Sequence, residues 1–208
     1  MPERTKQVIG LVGDACAGKS SVAKMFAKLG ATVYDADAAV HRIYAQPDVI
    51  DEVQKMFGNV LTDVKIDGAK LGSVVFDDPQ KLKALTEQIV FPRTGREMEE
   101  QKAAWFKTDS PVLLLDAPTL FEAGRAGDCD RILYLGAPRD RRIEWAKGRN
   151  WSEQELDRRD ARLNAFFGGN ARKRERADVV IENDGSLDDL EKKIVEVWNR
   201  WICGLARS

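Results

Sequence analysis

The chain has 208 residues with 43% hydrophobic content, enough for a sizeable core, and its net charge of -1 argues against general nucleic-acid binding. No apolar run approaches the roughly 20 residues of a membrane-spanning helix, and the first six residues lack the apolar core of a secretory signal. Three widely separated cysteines provide no disulfide framework or zinc site, so we expect a cytoplasmic protein with reduced thiols, no membrane partner and an oligomeric state that composition leaves open.

A βαβ unit is predicted at the start of the chain. Val8–Val12 is a short apolar run, as expected of a strand that is buried on both faces of a parallel sheet. From Ser20 to Leu29 the apolar residues recur at helical spacing, and Gly30 supplies a stop. Thr32–Tyr34 is predicted to be the next strand, and the crossover between the two strands is expected to be right-handed.

Three later apolar runs complete a predicted α/β fold with a five-stranded, mainly parallel sheet. The runs are Val112–Leu115, Arg131–Leu135 and Val179–Ile181, and segments with helical periodicity separate them. Between these strands and the βαβ unit, residues 38–110 contain helical patterns and no convincing strand. We therefore predict a single domain over 1–208 with a helical insertion at 38–110.

A second helical segment, residues 139–177, is predicted to form a lid. From Arg139 to Arg176 there are 12 Lys and Arg against 7 Asp and Glu, so basic charge is concentrated here. Ser152–Glu155 has the spacing of a capping box, and Gly168–Gly169 interrupts the helical pattern that follows. A solvated pair of helices would explain the charge, and so would a lid that closes over bound phosphates.

The strongest chemical signal lies between the first strand and the first helix. The residues there match G-x-x-x-x-G-K-[ST] completely and are Gly13, Asp14, Ala15, Cys16, Ala17, Gly18, Lys19 and Ser20. The glycines let the backbone curl so that its amides face the phosphates of ATP, and the helix presents its positive end to the same anion. Lys19 is expected to reach the β- and γ-phosphates and Ser20 to bind Mg²⁺. Ser21 is the last of the residues predicted to bind ATP. The motif and its flanking elements predict a P-loop NTPase core.

Two acidic residues, Asp35 and Asp37, follow the second strand at the edge where open α/β sheets bind their ligands. Asp37 could simply cap a helix that begins near Ala38. Beside a P-loop, a carboxylate that accepts a proton from an attacking hydroxyl is the more economical interpretation. His41 lies one helical turn after Asp37 and is expected to be structural or to position the substrate.

Asp116 and Arg149 are further candidates. Asp116 ends the strand Val112–Leu115, where P-loop proteins often hold a magnesium-binding acid, although a solvent-facing strand end would account for it equally well. Arg149 is predicted to close a helix that begins near Pro138. Phosphate binding and stabilisation of the helix end both remain open for it.

In their order along nearly the whole chain, these motifs resemble the dephospho-CoA kinase family. The matching segments after the P-loop are Asp35-Ala36-Asp37, Val75–Pro79, Val90–Pro92, Asp116–Glu122 and Arg172–Asn183. The resemblance implies transfer of the γ-phosphoryl group of ATP to the ribose 3′-hydroxyl of dephospho-CoA, on a P-loop core with a helical CoA-binding domain and a lid. It implies that Asp37 is the base and that Arg149 is a lid-associated arginine that contacts phosphate. The residues predicted to bind the acceptor are Asp35, His41, Phe91, Pro118 and Glu122.

Three segments depart from the family pattern. The P-loop contains Asp14, Cys16 and Ala17 where the family is glycine-rich, Phe91 replaces a histidine, and Leu163–Asn170 replaces a glutamine-containing lid motif. Asp14 is compatible with bound phosphate only if its side chain points away from the phosphates. The alternative functions are a kinase for another small alcohol or nucleoside, and a nucleotide-binding homologue that has lost catalysis.

Overall fold

The computed structural model describes residues 6–76, 78–165 and 169–203, and the chain divides into two compact units. The first unit consists of Met1–Tyr34 and Ala104–Ser208, and the second consists of Asp35–Ala103. The helical insertion predicted at 38–110 thus corresponds to a separate unit with slightly different boundaries.

The strands of the main sheet are β1 (Gln7–Gly13), β2 (Thr32–Asp35), β5 (Val112–Asp116), β6 (Arg131–Gly136) and β7 (Val179–Glu182). Within the described residues these five strands are ordered β2-β5-β1-β6-β7. β1 pairs in parallel with both β5 and β6, and β6 pairs in parallel with β7. The predicted α/β fold and its five-stranded sheet are therefore confirmed.

All seven residues of the central strand β1 are buried, which explains its uninterrupted apolar sequence. The helices of the first unit are α1 (Lys19–Lys28), α7 (Arg139–Lys147), α8 (Glu153–Ala165), α9 (Gly169–Glu175) and α10 (Leu187–Trp198), followed by a π-helical segment at Asn199–Cys203. A short 3₁₀ turn covers Ala126–Asp128.

The core of the first unit lies where α1 and α10 pack against the sheet. Ile194, Val197 and Trp198 of α10 are buried in one cluster with Leu11 of β1. The ring of Trp198 meets Phe26 of α1 edge to face, with 5.9 Å between the ring centres. The buried face of α10 thus packs onto the sheet.

The segment 139–177, which was predicted to form a lid, contains helices α7 and α8, and ion pairs join these two helices. The buried guanidinium of Arg142 in α7 donates to both carboxylate oxygens of Asp160 in α8, at 2.9 and 2.7 Å. Arg139 donates to Glu153 and Asp157 at 2.6 and 2.8 Å. Part of the basic charge of this segment therefore joins α7 to α8. Gly168, the first of the two glycines expected to interrupt the helical pattern, lies outside the described residues.

The second unit is mainly helical and has its own core. Its helices are α2 (Ala36–Tyr44), α3 (Pro47–Phe57), α4 (Gly68–Val75), α5 (Pro79–Ala84) and a π-helical segment (Leu85–Val90) that continues into α6 (Phe91–Trp105). Residues from four of these segments form a buried apolar cluster that includes Ile43, Val53, Leu71 and Ile89, and the partly buried Leu82 of α5 packs against it.

A small hairpin corrects the expectation that this region contains no strand. β3 (Leu61–Thr62) pairs antiparallel with β4 (Lys65–Ile66). The turn residues Asp63 and Val64 have φ values of 47° and 58°. Two-residue hairpin turns commonly carry Asn-Gly or Asp-Gly at such positions, so Asp-Val gave no recognisable turn signal.

Among the described helices, none combines the length and the apolar content needed to cross a membrane.

The contact between β1 and β6 generates a stability prediction. A Cβ atom at Gly13 would lie 2.1 Å from the carbonyl oxygen of Leu135, and the φ of Gly13 is 151°. We expect Gly13→Ala to lower the free energy of unfolding by about 2 kcal/mol or more, measured by urea denaturation. Gly127→Ala is the control, because a Cβ there meets nothing within 4 Å. Equal losses in both variants would contradict a tight contact at Gly13.

Candidate active site

The P-loop joins the buried strand β1 to helix α1. Gly18 is the N-cap residue of α1, with a left-handed φ of 100°, and it provides no side-chain hydrogen bond. The first turn of α1 contains no acidic residue. The amide groups at this helix end are therefore not neutralised by a local side chain, and the helix dipole favours an anion there.

Three distant parts of the chain hold the loop in shape. The backbone N–H of Asp14 donates to the carbonyl of Leu135 in β6, at 3.1 Å. The buried side-chain amide of Asn183 donates to the carbonyl of Ala17 at 2.9 Å. A guanidinium nitrogen of Arg142 lies 3.4 Å from the carbonyl of Ala15. The loop is thus preorganised by contacts from β6, from α7 and from the residue after β7.

The carboxylate of Asp14 faces donors from β6 and α9. The hydroxyl of Tyr134 donates to it at 2.5 Å, and the side-chain amide of Asn170 donates to it at 3.0 Å. The backbone N–H of Ala137 is 3.4 Å from its second oxygen. Burial, and then the hydrogen bond to Asp14, raise the pKa of Tyr134, so this phenol stays a donor at neutral pH. The carboxylate of Asp14 is therefore engaged by β6, by α9 and by the N–H of Ala137.

The ammonium group of Lys19 lies over the loop. It donates to the carbonyls of Gly13 and Asp14, at 3.2 and 2.8 Å. Ser20 follows in the first turn of α1 and is exposed, and Ser21 is partly buried. The predicted P-loop residues therefore lie together at the carboxyl end of β1.

Cys16 has a structural role in the loop. Its φ is 59°, its exposed fraction is 7%, and it packs with Ala146 and Leu156. Burial raises the pKa of its thiol, and the charges of Arg149 and Lys19 oppose this only in part. The thiol is therefore protonated at neutral pH and serves as a small apolar side chain.

A cleft of about 390 Å³ opens beside the P-loop. It is lined by Cys16, Gly18, Ser21, Arg141, Trp145, Arg149, Asn183, Gly185 and Leu187. Arg149 follows the end of α7, and its guanidinium is 5.5 Å from the ring centre of Trp151. The helix ends at Lys147, two residues before the predicted end, so Arg149 lies beyond it at the cleft.

Asp116 and the segment after it lie at the same end of the sheet. Asp116 is the last residue of β5 and is in register with Leu11 of β1. Two residues further, the carbonyl of Pro118 accepts a hydrogen bond from the ammonium of Lys173 at 3.0 Å. The carboxylate of Glu122 is 2.5 Å from the same ammonium. The predicted residues Pro118 and Glu122 are thus both bound to α9.

The basic run Arg172–Arg176 is largely engaged with the protein itself. Lys173 has an exposed side-chain fraction of only 1%. Arg174 forms an ion pair with Glu182, and the guanidinium of Arg176 lies 5.3 Å from the ring centre of Phe121. Lys173 therefore points into the protein and is not available to bind phosphate.

The remaining predicted residues belong to the second unit. The carboxylate of Asp35 accepts a hydrogen bond from the N–H of Ala38 at 2.9 Å, so Asp35 is the N-cap of α2. The alternative in which Asp37 caps a helix beginning near Ala38 is excluded, because α2 begins at Ala36 and Asp37 lies in its first turn. His41 is exposed on the same helix, and Phe91 is partly buried against the core of this unit.

The sheet order and the loop between β1 and α1 define a P-loop phosphotransferase fold. Within the described residues, no three His, Cys, Asp or Glu side chains are grouped so that they could hold a metal ion by themselves.

Comparison with known proteins places the chain more narrowly. The family model described as dephospho-CoA kinase matches residues 7–189, and the chain belongs to this family. A dephospho-CoA kinase of Deinococcus radiodurans is 35% identical over 187 residues, covering 89% of this chain and 88% of the relative. One from Bradyrhizobium diazoefficiens is 32% identical, covering 92% and 94%. The crystal structure of TT1252 from Thermus thermophilus superposes with a TM-score of 0.78 at 31% identity, covering 95% and 98%.

The sequence did not indicate Asn183, Tyr134 or Lys173 as parts of the site. Each bonds to a residue far away in the chain, with separations of 166 residues for Asn183 and Ala17 and 120 for Tyr134 and Asp14. Asn183 and Lys173 do lie inside a segment that resembles the family. That resemblance was the one signal that could have drawn attention to them.

The contact between Asn183 and the P-loop generates a binding prediction. In Asn183→Asp, the carboxylate cannot donate to the carbonyl of Ala17 and adds negative charge beside the cleft. We expect the dissociation constant for ATP to rise at least about tenfold, measured by calorimetry. Asn199→Asp introduces the same charge at an exposed position and is the control. Unchanged ATP affinity in Asn183→Asp would contradict a role for this amide in shaping the loop.

Proposed function

We propose that this chain is a dephospho-CoA kinase that transfers the γ-phosphoryl group of ATP to the ribose 3′-hydroxyl of dephospho-CoA. The observation that carries the proposal is the match of residues 7–189 to that family in a chain with a complete P-loop. As a kinase that uses ATP, it is expected to work in the cytoplasm.

The P-loop supports binding of the ATP phosphates. Its curled backbone and the uncapped start of α1 offer N–H groups and a positive dipole end to the phosphate oxygens. The ammonium of Lys19 now donates to two loop carbonyls, so it lies close to the place where the β- and γ-phosphates would be held. Catalysis of phosphoryl transfer depends mainly on such positioning and electrostatic stabilisation.

The cleft beside the P-loop is the proposed site for the nucleoside part of ATP. Its volume of about 390 Å³ lies within the range of small-molecule pockets. Trp145 and Leu187 give it apolar surface, and Arg149 adds a cation to its lining. Arg149 is the residue proposed to stabilise charge on the transferred group.

Ser20 and Asp116 are the proposed ligands of Mg²⁺. A hydroxyl and a carboxylate are oxygen donors of the kind that Mg²⁺ prefers, and this ion usually completes its shell with water and substrate phosphates. Few protein ligands are therefore sufficient. When bound, the ion would neutralise charge on the phosphates during transfer.

Asp37 is the proposed base. It is exposed in the first turn of α2, and the capping duty of that helix is carried by Asp35. Its carboxylate is therefore available to orient the acceptor hydroxyl and accept its proton. Asp35, His41, Phe91, Pro118 and Glu122 complete the proposed acceptor side. Pro118 and Glu122 act there through the shape of their segment, since Lys173 binds both.

The proposed reaction is tested with the purified protein, ATP, Mg²⁺ and a panel of alcohols and nucleosides that includes dephospho-CoA. We expect dephospho-CoA to be the preferred acceptor and to gain one phosphoryl group, detected by mass spectrometry. Lys19→Ala, assayed in parallel, should lose both nucleotide binding and transfer, which excludes a contaminating kinase. Better turnover of an unrelated alcohol would show that dephospho-CoA is not the preferred acceptor. ATP binding without transfer would indicate a homologue that has lost catalysis.

A pair of matched substitutions tests Asp37 as the base. Asp37→Asn keeps the shape of the side chain but cannot accept the proton of the hydroxyl, so transfer should fall roughly 10²-fold or more while ATP affinity and thermal stability are retained. Asp35→Asn is the control, because asparagine also caps helices well. Full activity of Asp37→Asn, or a larger loss in Asp35→Asn, would show that the catalytic carboxylate has been misassigned.

A further inference from the structure

Helix α9 makes polar contacts with two parts of the site from residues one helical turn apart. Asn170 donates to the carboxylate of Asp14 in the P-loop, and Lys173 binds the segment Pro118–Glu122. We propose that Lys173 is a positioning residue: it holds the segment Pro118–Glu122 in register with the P-loop, so that ATP and the acceptor are aligned for transfer. The inference rests on the proposed function, because it assigns this segment to the acceptor side.

The contact at Lys173 is a buried ion pair with an additional hydrogen bond. The side chains of Lys173 and Glu122 are 1% and 6% exposed, and their charged atoms are 2.5 Å apart. The ammonium also donates to the carbonyl of Pro118 at 3.0 Å. It therefore binds both ends of a five-residue segment. At the start of this segment, the N–H of Leu120 donates to the carbonyl of the preceding residue Ala117 at 3.0 Å, which forms a turn.

The other contact of α9 reaches the phosphate-binding loop. Asn170 shares the carboxylate of Asp14 with Tyr134, whose hydroxyl donates at 2.5 Å. Arg174, the residue after Lys173, lies 5.7 Å from the ring centre of the same tyrosine. One short helix is thus fixed to the P-loop at one end and to the segment Pro118–Glu122 at the other.

A contribution to stability alone does not account for this arrangement. Burying two opposite charges is costly, and an apolar pair of similar volume commonly serves as well or better for stability. What a buried ion pair adds is a fixed geometry: the ammonium pairs with one carboxylate oxygen of Glu122 while it donates to the carbonyl of Pro118, and neither Glu122 oxygen has a hydrogen-bond partner among the described residues. Transfer between two bound molecules is sensitive to displacements of about 1 Å, so a fixed distance between the P-loop and the acceptor segment has a direct kinetic value.

The test separates positioning from stability with three proteins. In Lys173→Met, both contacts with the segment are lost, and the charge of Glu122 is left buried without its partner. In the double variant Lys173→Met with Glu122→Met, no buried charge remains, so thermal stability should return to near that of the unchanged chain. Lys192→Met is the control, because Lys192 is exposed and pairs only at the surface with Asp189 at 3.7 Å.

We expect the Lys173→Met and double variants to lose at least about tenfold in kcat/KM for the acceptor, with the larger change in KM. Their dissociation constants for ATP should stay within about twofold, since the P-loop contacts remain. Recovery of both melting temperature and kcat/KM in the double variant would overturn the inference and leave a purely structural ion pair. Unchanged kcat/KM in Lys173→Met would overturn it as well. If Lys173→Met does not fold, the kcat/KM of the double variant alone tests the positioning role of Lys173.

A second measurement addresses the link through α9. Asn170→Ala removes the contact with Asp14, and we expect its effect on kcat/KM to be less than additive with that of Lys173→Met, because both contacts serve one alignment. Additive effects would contradict the link. The acceptor used throughout is the one that the unchanged chain phosphorylates best. Failure of the proposed substrate is therefore seen in the unchanged chain, and failure of this inference only in the variants.

Discussion

The chain must turn at the end of β1 within contact distance of β6, and the phosphate-binding geometry depends on that turn. Gly13 makes the turn possible because the carbonyl of Leu135 occupies the space that a Cβ would need. The same carbonyl accepts the N–H of Asp14, which fixes the first residue of the loop to the sheet. From there the loop leads into α1, whose open amino end and Lys19 together provide the positive potential for an anion.

Local sequence patterns were sufficient to predict those elements whose structure is determined by neighbouring residues in the chain. The five strands of the sheet and the P-loop were predicted because burial on both faces demands apolar runs, and because phosphate binding demands glycine, lysine and serine at fixed spacing. The hairpin at Leu61–Ile66 was missed because its turn lacks glycine and asparagine. The alternative in which Asp37 caps α2 was two residues away from the actual cap, Asp35, and such a displacement is typical of predicted helix ends.

The partners that shape the site could not be predicted, because they come together only when the sheet forms. Asn183 supports Ala17 from the far end of the sequence, and Lys173 joins α9 to a segment more than fifty residues earlier. Nothing in the local sequence distinguishes Lys173 from its basic neighbours, yet it is buried while Arg174 remains half exposed. The basic run is thus a set of individual contacts, and its summed charge gave little indication of what each residue does.

Asp14 connects the P-loop to two other positions through hydrogen bonds. Its carboxylate accepts hydrogen bonds from Tyr134 and Asn170, so a substitution at position 14 also affects these two residues. A return to glycine at position 14 would leave a buried hydroxyl and an amide without their acceptor, and such orphaned donors are costly. Replacing Asp14 alone therefore costs stability that a simultaneous change of Tyr134 and Asn170 to apolar side chains would avoid.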